Sequence, residues 1–353
     1  MFIRSFLKNK KYIISKRNYL DDYSNNISKK IDMTMSGKYL GKYPDININS
    51  LEFDKYPITK DINLLVKTIK NKYNIRNEII IGNGSNGILQ NLIKIYVGEK
   101  DNLITPYYTF NQAEYAVTSQ KGYTKRVLMD EENINFDNII DSIDKKTKLV
   151  YICNPNNPTG IYVSSKELLF LSEKIYKKNK NIKLIIDESS IEFTKEKSLL
   201  DYKLPSNIIV LRTFSKAYGI ANLRIGYMVC HRNIYNKYIK NTTNNEISSV
   251  VSNIANTIIK TDLYKENIDL IIKERELMIG RLNELGIKCY KSNSNIIMTK
   301  TTFSRKEIEI IEDNDISLVN VLDINNKLHL RIAIQDEKTN REFISILKKI
   351  INK

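Results

Sequence analysis

Lys148-Leu149-Val150-Tyr151-Ile152-Cys153-Asn154-Pro155 opens as an apolar run too short for a helix and breaks off at a turn-forming pair. A second such run, residues 182–186, is closed by Asp187. Between the two, residues 164–178 carry apolar side chains at 168, 169, 171 and 175, which form one stripe of a helix. Strand, helix and strand in that order predict a mostly parallel sheet with helices on its faces. Outward from this unit the pattern repeats. Residues 77–81 end at Gly82 and are followed by helical spacing over 88–97, residues 103–105 end at Pro106, and residues 208–211 lead into Arg212-Thr213-Phe214-Ser215-Lys216. After about residue 233 longer helical stretches take over, 263–285 among them, before a smaller alternating region. The expected architecture is α/β: an N-terminal arm and the start of a small domain over 1–55, a large domain over 56–233, and a small α+β domain over 234–353.

Bulk composition excludes several classes. No window approaches the roughly 18 consecutive apolar residues of a membrane span. The first twenty residues are basic, but Arg4, Lys8, Lys10 and Lys11 interrupt any apolar stretch, so they do not read as a secretory signal. Cys153, Cys230 and Cys289 are widely spaced and suit neither a disulfide framework nor a zinc site, which favours a reducing cytoplasm. His231 and His329 are the only histidines, so metal and Ser-His chemistry lack their usual parts. The formal charge of +16 comes from 56 basic against 40 acidic residues, but the lysines are spread along the whole chain and no nucleic-acid motif accompanies them. The expectation is no nucleic acid, no membrane and no metal.

In a parallel sheet the ligand lies beyond the carboxyl ends of the strands, so the strand ends are where chemistry is expected. Gly84-Ser85-Asn86 at a strand-to-helix junction can present backbone N–H groups to a phosphate, although an ordinary helix cap uses the same residues. Asp187 closes a buried strand and needs a donor or cation to offset its burial. Lys216 lies eight residues before Arg224, and an amine near fixed positive charge and partly desolvated is biased toward its neutral, nucleophilic form.

Asn157-Pro158-Thr159-Gly160, then Asp187, Ser215-Lys216, and Arg224 with Gly226 follow one another in an order and spacing that resemble the fold type I pyridoxal-phosphate-dependent aminotransferases of class I/II. NPNNPTG, IIDESSIEF and RTFSKAYGIANLRIGY are most similar to the branch containing histidinol-phosphate aminotransferase and threonine-phosphate decarboxylase, and the match runs from about Tyr56 to Arg331. The resemblance implies pyridoxal 5'-phosphate as cofactor, with Lys216 forming the Schiff base to it and serving as general base and acid. It implies that Asp187 faces the pyridine nitrogen, Asn157 the ring hydroxyl oxygen, and Tyr108 the ring face. Gly84, Ser85, Asn86, Thr213, Ser215 and Arg224 would hold the phosphate, and Arg331, Asn157 and Asn320 the substrate, with Arg331 on its carboxylate. Tyr56 would reach the phosphate of the neighbouring subunit, which makes a homodimer the active unit. The implied reaction moves an amino group from an amino acid, with glutamate the expected donor, to an oxo-acid or aldehyde acceptor.

Three positions depart from the family pattern. Ser190 stands where a tyrosine usually contacts the ring hydroxyl; it is expected among the cofactor-binding residues, with a shorter reach that a water can bridge. Asn222 replaces a glycine before Leu223-Arg224. Asn320, at the substrate end, is neutral where the phosphate-handling members carry a second arginine, which counts against a phosphorylated substrate. A decarboxylase of the threonine-phosphate type and a binding protein without turnover are the alternative readings.

Overall fold

The computed structural model describes residues 12–14, 29–47, 51–130, 133–243 and 247–351. Apart from Tyr12–Ile14, the basic first twenty residues lie outside that set. In chain order the strands are β1 (Tyr12–Ile14), β2 (Ile31–Asp32), β3 (Glu78–Gly82), β4 (Asn102–Pro106), β5 (Tyr123–Val127), β6 (Thr147–Cys153), β7 (Lys183–Asp187), β8 (Ile208–Thr213), β9 (Gly226–Cys230), β10 (Ile296–Met298), β11 (Ile316–Ser317), β12 (Val319–Leu322) and β13 (Leu328–Ala333).

Eight of them form one sheet in the order β1-β5-β4-β6-β7-β8-β9-β3. The five central neighbours, β5-β4-β6-β7-β8, are parallel, as the strand–helix alternation predicts. β1, β9 and β3 join antiparallel. From β4 the chain turns to β5 on one side and later returns to β6 on the other, so the winding reverses between β4 and β6. Strand ends diverge at such a point and leave a crevice.

Burial explains the strand sequences. Leu149, Val150, Tyr151 and Ile152 of β6 are all fully buried, because helices cover both faces of the sheet. Alternation sends Val150 and Ile152 into one core and Leu149 and Tyr151 into the other, under the helix Gly84–Tyr96. The helix Ser165–Lys178 begins one residue later than its apolar pattern, because Ser164 is its cap and forms a reciprocal capping box with Glu167. Its Leu168, Leu171 and Ile175 are 0% exposed, each stabilising by roughly 1.5–3 kcal/mol. β5 has no clean apolar pattern because Lys125 and Arg126 lie inside it. Lys125 is nonetheless only 2% exposed. Its ammonium donates to Ser142 O at 2.8 Å and Asp144 Oδ2 at 2.6 Å and sits over the Tyr12 ring of β1, so β1 seals this sheet edge.

A second sheet, β10-β13-β12, is antiparallel and follows the helix Tyr264–Glu284. Ile297, Leu330 and Ile332 of this sheet belong to the same hydrophobic cluster as Ile152 and Val210 of the large one. β2 pairs in parallel with β11 and carries residues 33–36 across toward the strand ends of the large sheet. No helix among the described residues is long and apolar enough to cross a membrane, and none of their His, Cys, Asp and Glu side chains form a metal-binding group.

Candidate active site

The carboxyl ends of β4, β6, β7 and β8 open into a cavity of about 440 Å³ that β12, β13 and residues 34–36 close from the other side. Ser85, Asn86, Tyr108, Asn157, Asp187, Thr213, Ser215, Lys216, Arg224, Asn320 and Arg331 all line it. Residues separated by more than 240 positions in the chain thus share one space. Tyr56 does not belong to this lining. It is 91% exposed, in the loop before the helix Thr59–Tyr73.

Asp187, 4% exposed, ends β7 beside Cys153 of β6. Its Oδ2 accepts from the Tyr151 hydroxyl at 3.0 Å, and its Oδ1 from the Ser189 amide at 3.0 Å and the Ser189 hydroxyl. Three neutral donors offset the burial of the carboxylate, which needs such partners to remain charged. Across the cavity Lys216 Nζ donates to Ser190 Oγ at 2.8 Å. Burial lowers the Lys216 pKa from 10.5, and the charge of Arg331 adds to the effect, while Asp187 opposes it. The Cys153 thiol is pushed up to about 12 by its burial and by Asp187, so it stays protonated. Ser190 therefore contacts the lysine amine, a role its serine-for-tyrosine departure did not reveal.

At the other end of the cavity lies a cradle of donors. The helix Gly84–Tyr96 starts without a side-chain cap, which leaves its first-turn amides, those of Ser85 and Asn86, directed at the cavity end. Thr213 Oγ1 and Ser215 Oγ lie 2.9 Å apart, and the Arg224 guanidinium approaches Ser215 Oγ at 3.4 Å. Arg224 itself has φ +51°, and a Cβ on Gly84 would come within 2.9 Å of its guanidinium. The Asn86 Oδ1 is buried without a hydrogen-bond partner. The Ser85 hydroxyl faces Ser189 Oγ at 3.0 Å. The cradle depends on Gly226, where a Cβ would lie 2.5 Å from the Ser85 amide nitrogen and 2.7 Å from Arg212 O. Gly226→Ala is expected to push the helix start off β9, costing about 1–3 kcal/mol by overpacking. A phosphate-bearing cofactor should then bind at least about tenfold more weakly by absorbance titration, and unchanged affinity would remove Gly226 from this role.

Arg331, on β13 between Met298 and Val319, is 8% exposed and donates to Thr34 O at 2.8 Å. Asn320 is exposed at the cavity rim on β12. Tyr108 stacks edge-on against Tyr107, with ring centroids 5.1 Å apart, and its burial pushes its pKa up. Sequence reasoning overlooked Tyr107, Arg126, Ile13 and Ile14 of the lining, together with Tyr151 and Ser189 behind Asp187. Arg126 is paired with Glu114, both nearly buried. Only Tyr151 left a signal, a phenol inside a run of buried aliphatic residues.

The aminotransferase class I and II family model matches residues 42–347. The chain belongs to this family. It is 33% identical over 315 residues to the histidinol-phosphate aminotransferase of Pelagibacter ubique, covering 86% of each chain. With the enzyme of the same name from Caldanaerobacter subterraneus it shares 31% over 283 residues, 78% of each. The relative from Thermoanaerobacter pseudethanolicus is 35% identical, but over 229 residues, so this chain spans 63% of that relative's length. The fold matches the histidinol-phosphate aminotransferase of Sinorhizobium meliloti solved with pyridoxal-5'-phosphate, with TM-score 0.81, 20% identity and coverage of 92% and 91% of the two chains. The protein is a pyridoxal-phosphate-dependent aminotransferase of fold type I.

The residues present fit the cofactor. A phosphate dianion accepts only, and the cradle offers it donors: a helix start, two hydroxyls and a guanidinium. Asp187, buried among neutral donors only, suits a protonated ring nitrogen.

Proposed function

We propose that Lys216, Asp187 and Arg331 form the reacting core of an enzyme that moves the amino group of glutamate to an oxo-acid or aldehyde acceptor. Their convergence on one cavity, from β7, the loop after β8, and β13, carries this reading. When bound, pyridoxal phosphate supplies an aldehyde for amino groups and an electron-accepting ring. Lys216 would hold that aldehyde before substrate arrives. Its lowered pKa favours the neutral amine needed first to attach and then to take and return the proton at the substrate α-carbon. Ser190 Oγ accepts from Lys216 Nζ and orients it. Asp187 would keep a positive charge on the ring nitrogen, Asn157 would bind the ring hydroxyl and Tyr108 would cover the ring face. The Ser85 and Asn86 amides, Thr213, Ser215 and Arg224 hold the phosphate.

Arg331 grips the substrate carboxylate with a planar fork. Asn320 at the rim is neutral and Arg126 is paired with Glu114, so the described lining suits one carboxylate better than a phosphorylated substrate of the kind named in the relatives. We assign residues 56–233 to a large domain and 234–353 to a small one, with 1–55 as arm and start of the small domain. A homodimer is the proposed active unit: Tyr56 is 91%, Phe53 68% and Ile58 42% exposed in one loop, an apolar surface suited to a second copy and to Tyr56 reaching the neighbouring phosphate cradle. A cytoplasmic location is proposed from the three free thiols.

Product analysis by mass tests the reading. Holoenzyme given L-glutamate should release 2-oxoglutarate and then transfer the retained amino group to an oxo acid. Carbon dioxide release without a new oxo acid would establish the decarboxylase instead, and no product with any donor would leave only the binding role.

A further inference from the structure

We propose that Tyr151 and Ser189 form a clamp that occupies both oxygens of Asp187 with donors and holds it aimed at the cofactor's ring nitrogen. This rests on the reading of Asp187 given above. The Tyr151 side chain is 0% exposed, in the core beneath the helix Gly84–Tyr96, and its hydroxyl reaches Asp187 Oδ2 at 3.0 Å. Burial and the Asp187 charge both push the Tyr151 pKa up, so the phenol keeps its proton and donates it. The opposite carboxylate oxygen takes the Ser189 amide and hydroxyl. The other groups facing Asp187 are the protonated Cys153 thiol and the Lys216 amine.

The hydrogen-bond directions follow from proton counting. A carboxylate only accepts, so the single Ser189 hydroxyl proton points at Asp187 Oδ1. In the 3.0 Å contact between the two serine hydroxyls, Ser85 must then be the donor. The Ser85 hydroxyl proton is thereby directed away from the phosphate cradle, and Ser85 serves the phosphate through its backbone amide. One chain of hydrogen bonds thus runs from the cradle through Ser85 and Ser189 to Asp187, with Tyr151 closing it from the core. Loss of a donor frees a carboxylate oxygen to draw the shared proton away from the ring nitrogen.

The test uses holoenzyme carrying pyridoxal phosphate labelled with ¹⁵N at the ring nitrogen. Wild type should show the resonance of a protonated pyridine nitrogen. Tyr151→Phe and Ser189→Ala should each move it part-way toward the free base, and Asp187→Asn should move it fully. Cofactor affinity should change less than about threefold in Tyr151→Phe, whose hydroxyl bonds Asp187 and not the phosphate cradle, while kcat falls about tenfold at nearly constant KM. Unchanged resonances in Tyr151→Phe and Ser189→Ala beside a shifted Asp187→Asn would overturn the clamp alone. An unchanged resonance in Asp187→Asn would overturn the reading of Asp187 itself. Ser189→Ala, which removes one hydroxyl from a turn outside the sheet, keeps the test decisive if Tyr151→Phe does not fold.

Discussion

Lys216→Ala is expected to lower the aminotransfer rate by at least about 10³-fold, because proton transfer by a positioned side chain alone contributes roughly 10²–10⁴-fold and covalent attachment is lost with it. Reduction of the holoenzyme with borohydride should add the cofactor mass to wild type and nothing to the variant. Stability separates loss of chemistry from loss of fold. The Lys216 pKa is held below 10.5 in the folded protein, mainly by burial. Between the two values the unfolded chain binds more protons, so the buried amine destabilises the apoprotein at neutral pH and this cost disappears as pH rises toward 10.5. The Lys216→Ala apoprotein should therefore melt no lower than wild type at pH 7. A variant that retains more than a tenth of the wild-type rate would sink the assignment of Lys216. Cofactor attachment to wild-type apoprotein should in turn quicken as pH rises and level off below 10.5, where the amine is already neutral.

Asp187→Asn should carry the second-largest effect. The variant keeps the volume of the side chain and removes its charge, so the buried ring nitrogen would give up its proton and the ring would lose the positive charge that draws electrons from the substrate. Removing one partner of a buried charge pair costs about 3–5 kcal/mol, which corresponds to roughly 10²–10⁴-fold in kcat. A further loss arises because the new amide presents N–H to Tyr151 or Ser189, both of which already donate there. Steady-state kinetics with glutamate should show the fall in kcat with a smaller change in KM, since Asp187 does not face the substrate carboxylate. A kcat within tenfold of wild type would falsify the electron-sink role.

The central sheet was legible because each strand is buried on both faces and ends at a polar or turn-forming residue. Residues 148–152, 182–186 and 208–211 appear as the cores of β6, β7 and β8, displaced only by one or two residues at their ends. The cradle was legible because a helix start and a run of hydroxyls are local features. β5 was not, since Lys125 and Arg126 hide its apolar character and their partners, Asp144, Tyr12 and Glu114, come from other elements. The position of Ser190 marked a departure from the family but not its consequence. Its partner Lys216 is 26 residues away and becomes a neighbour only through the pairing of β7 with β8.

The sequence by itself determined the alternation that makes a parallel sheet, the order of its strand ends, and the motifs that assign the chain to its family. Those features are local: periodicity, turn chemistry and spacing are carried by neighbouring residues. Tertiary structure alone decided that Arg331 of the small sheet stands over the ends of the large one, that Ser190 holds Lys216, and that Tyr151 and Ser189 grip Asp187. Each of these depends on a contact between strands or loops remote in the chain, where sheet register and the need of every buried polar group for a partner select which side chains meet.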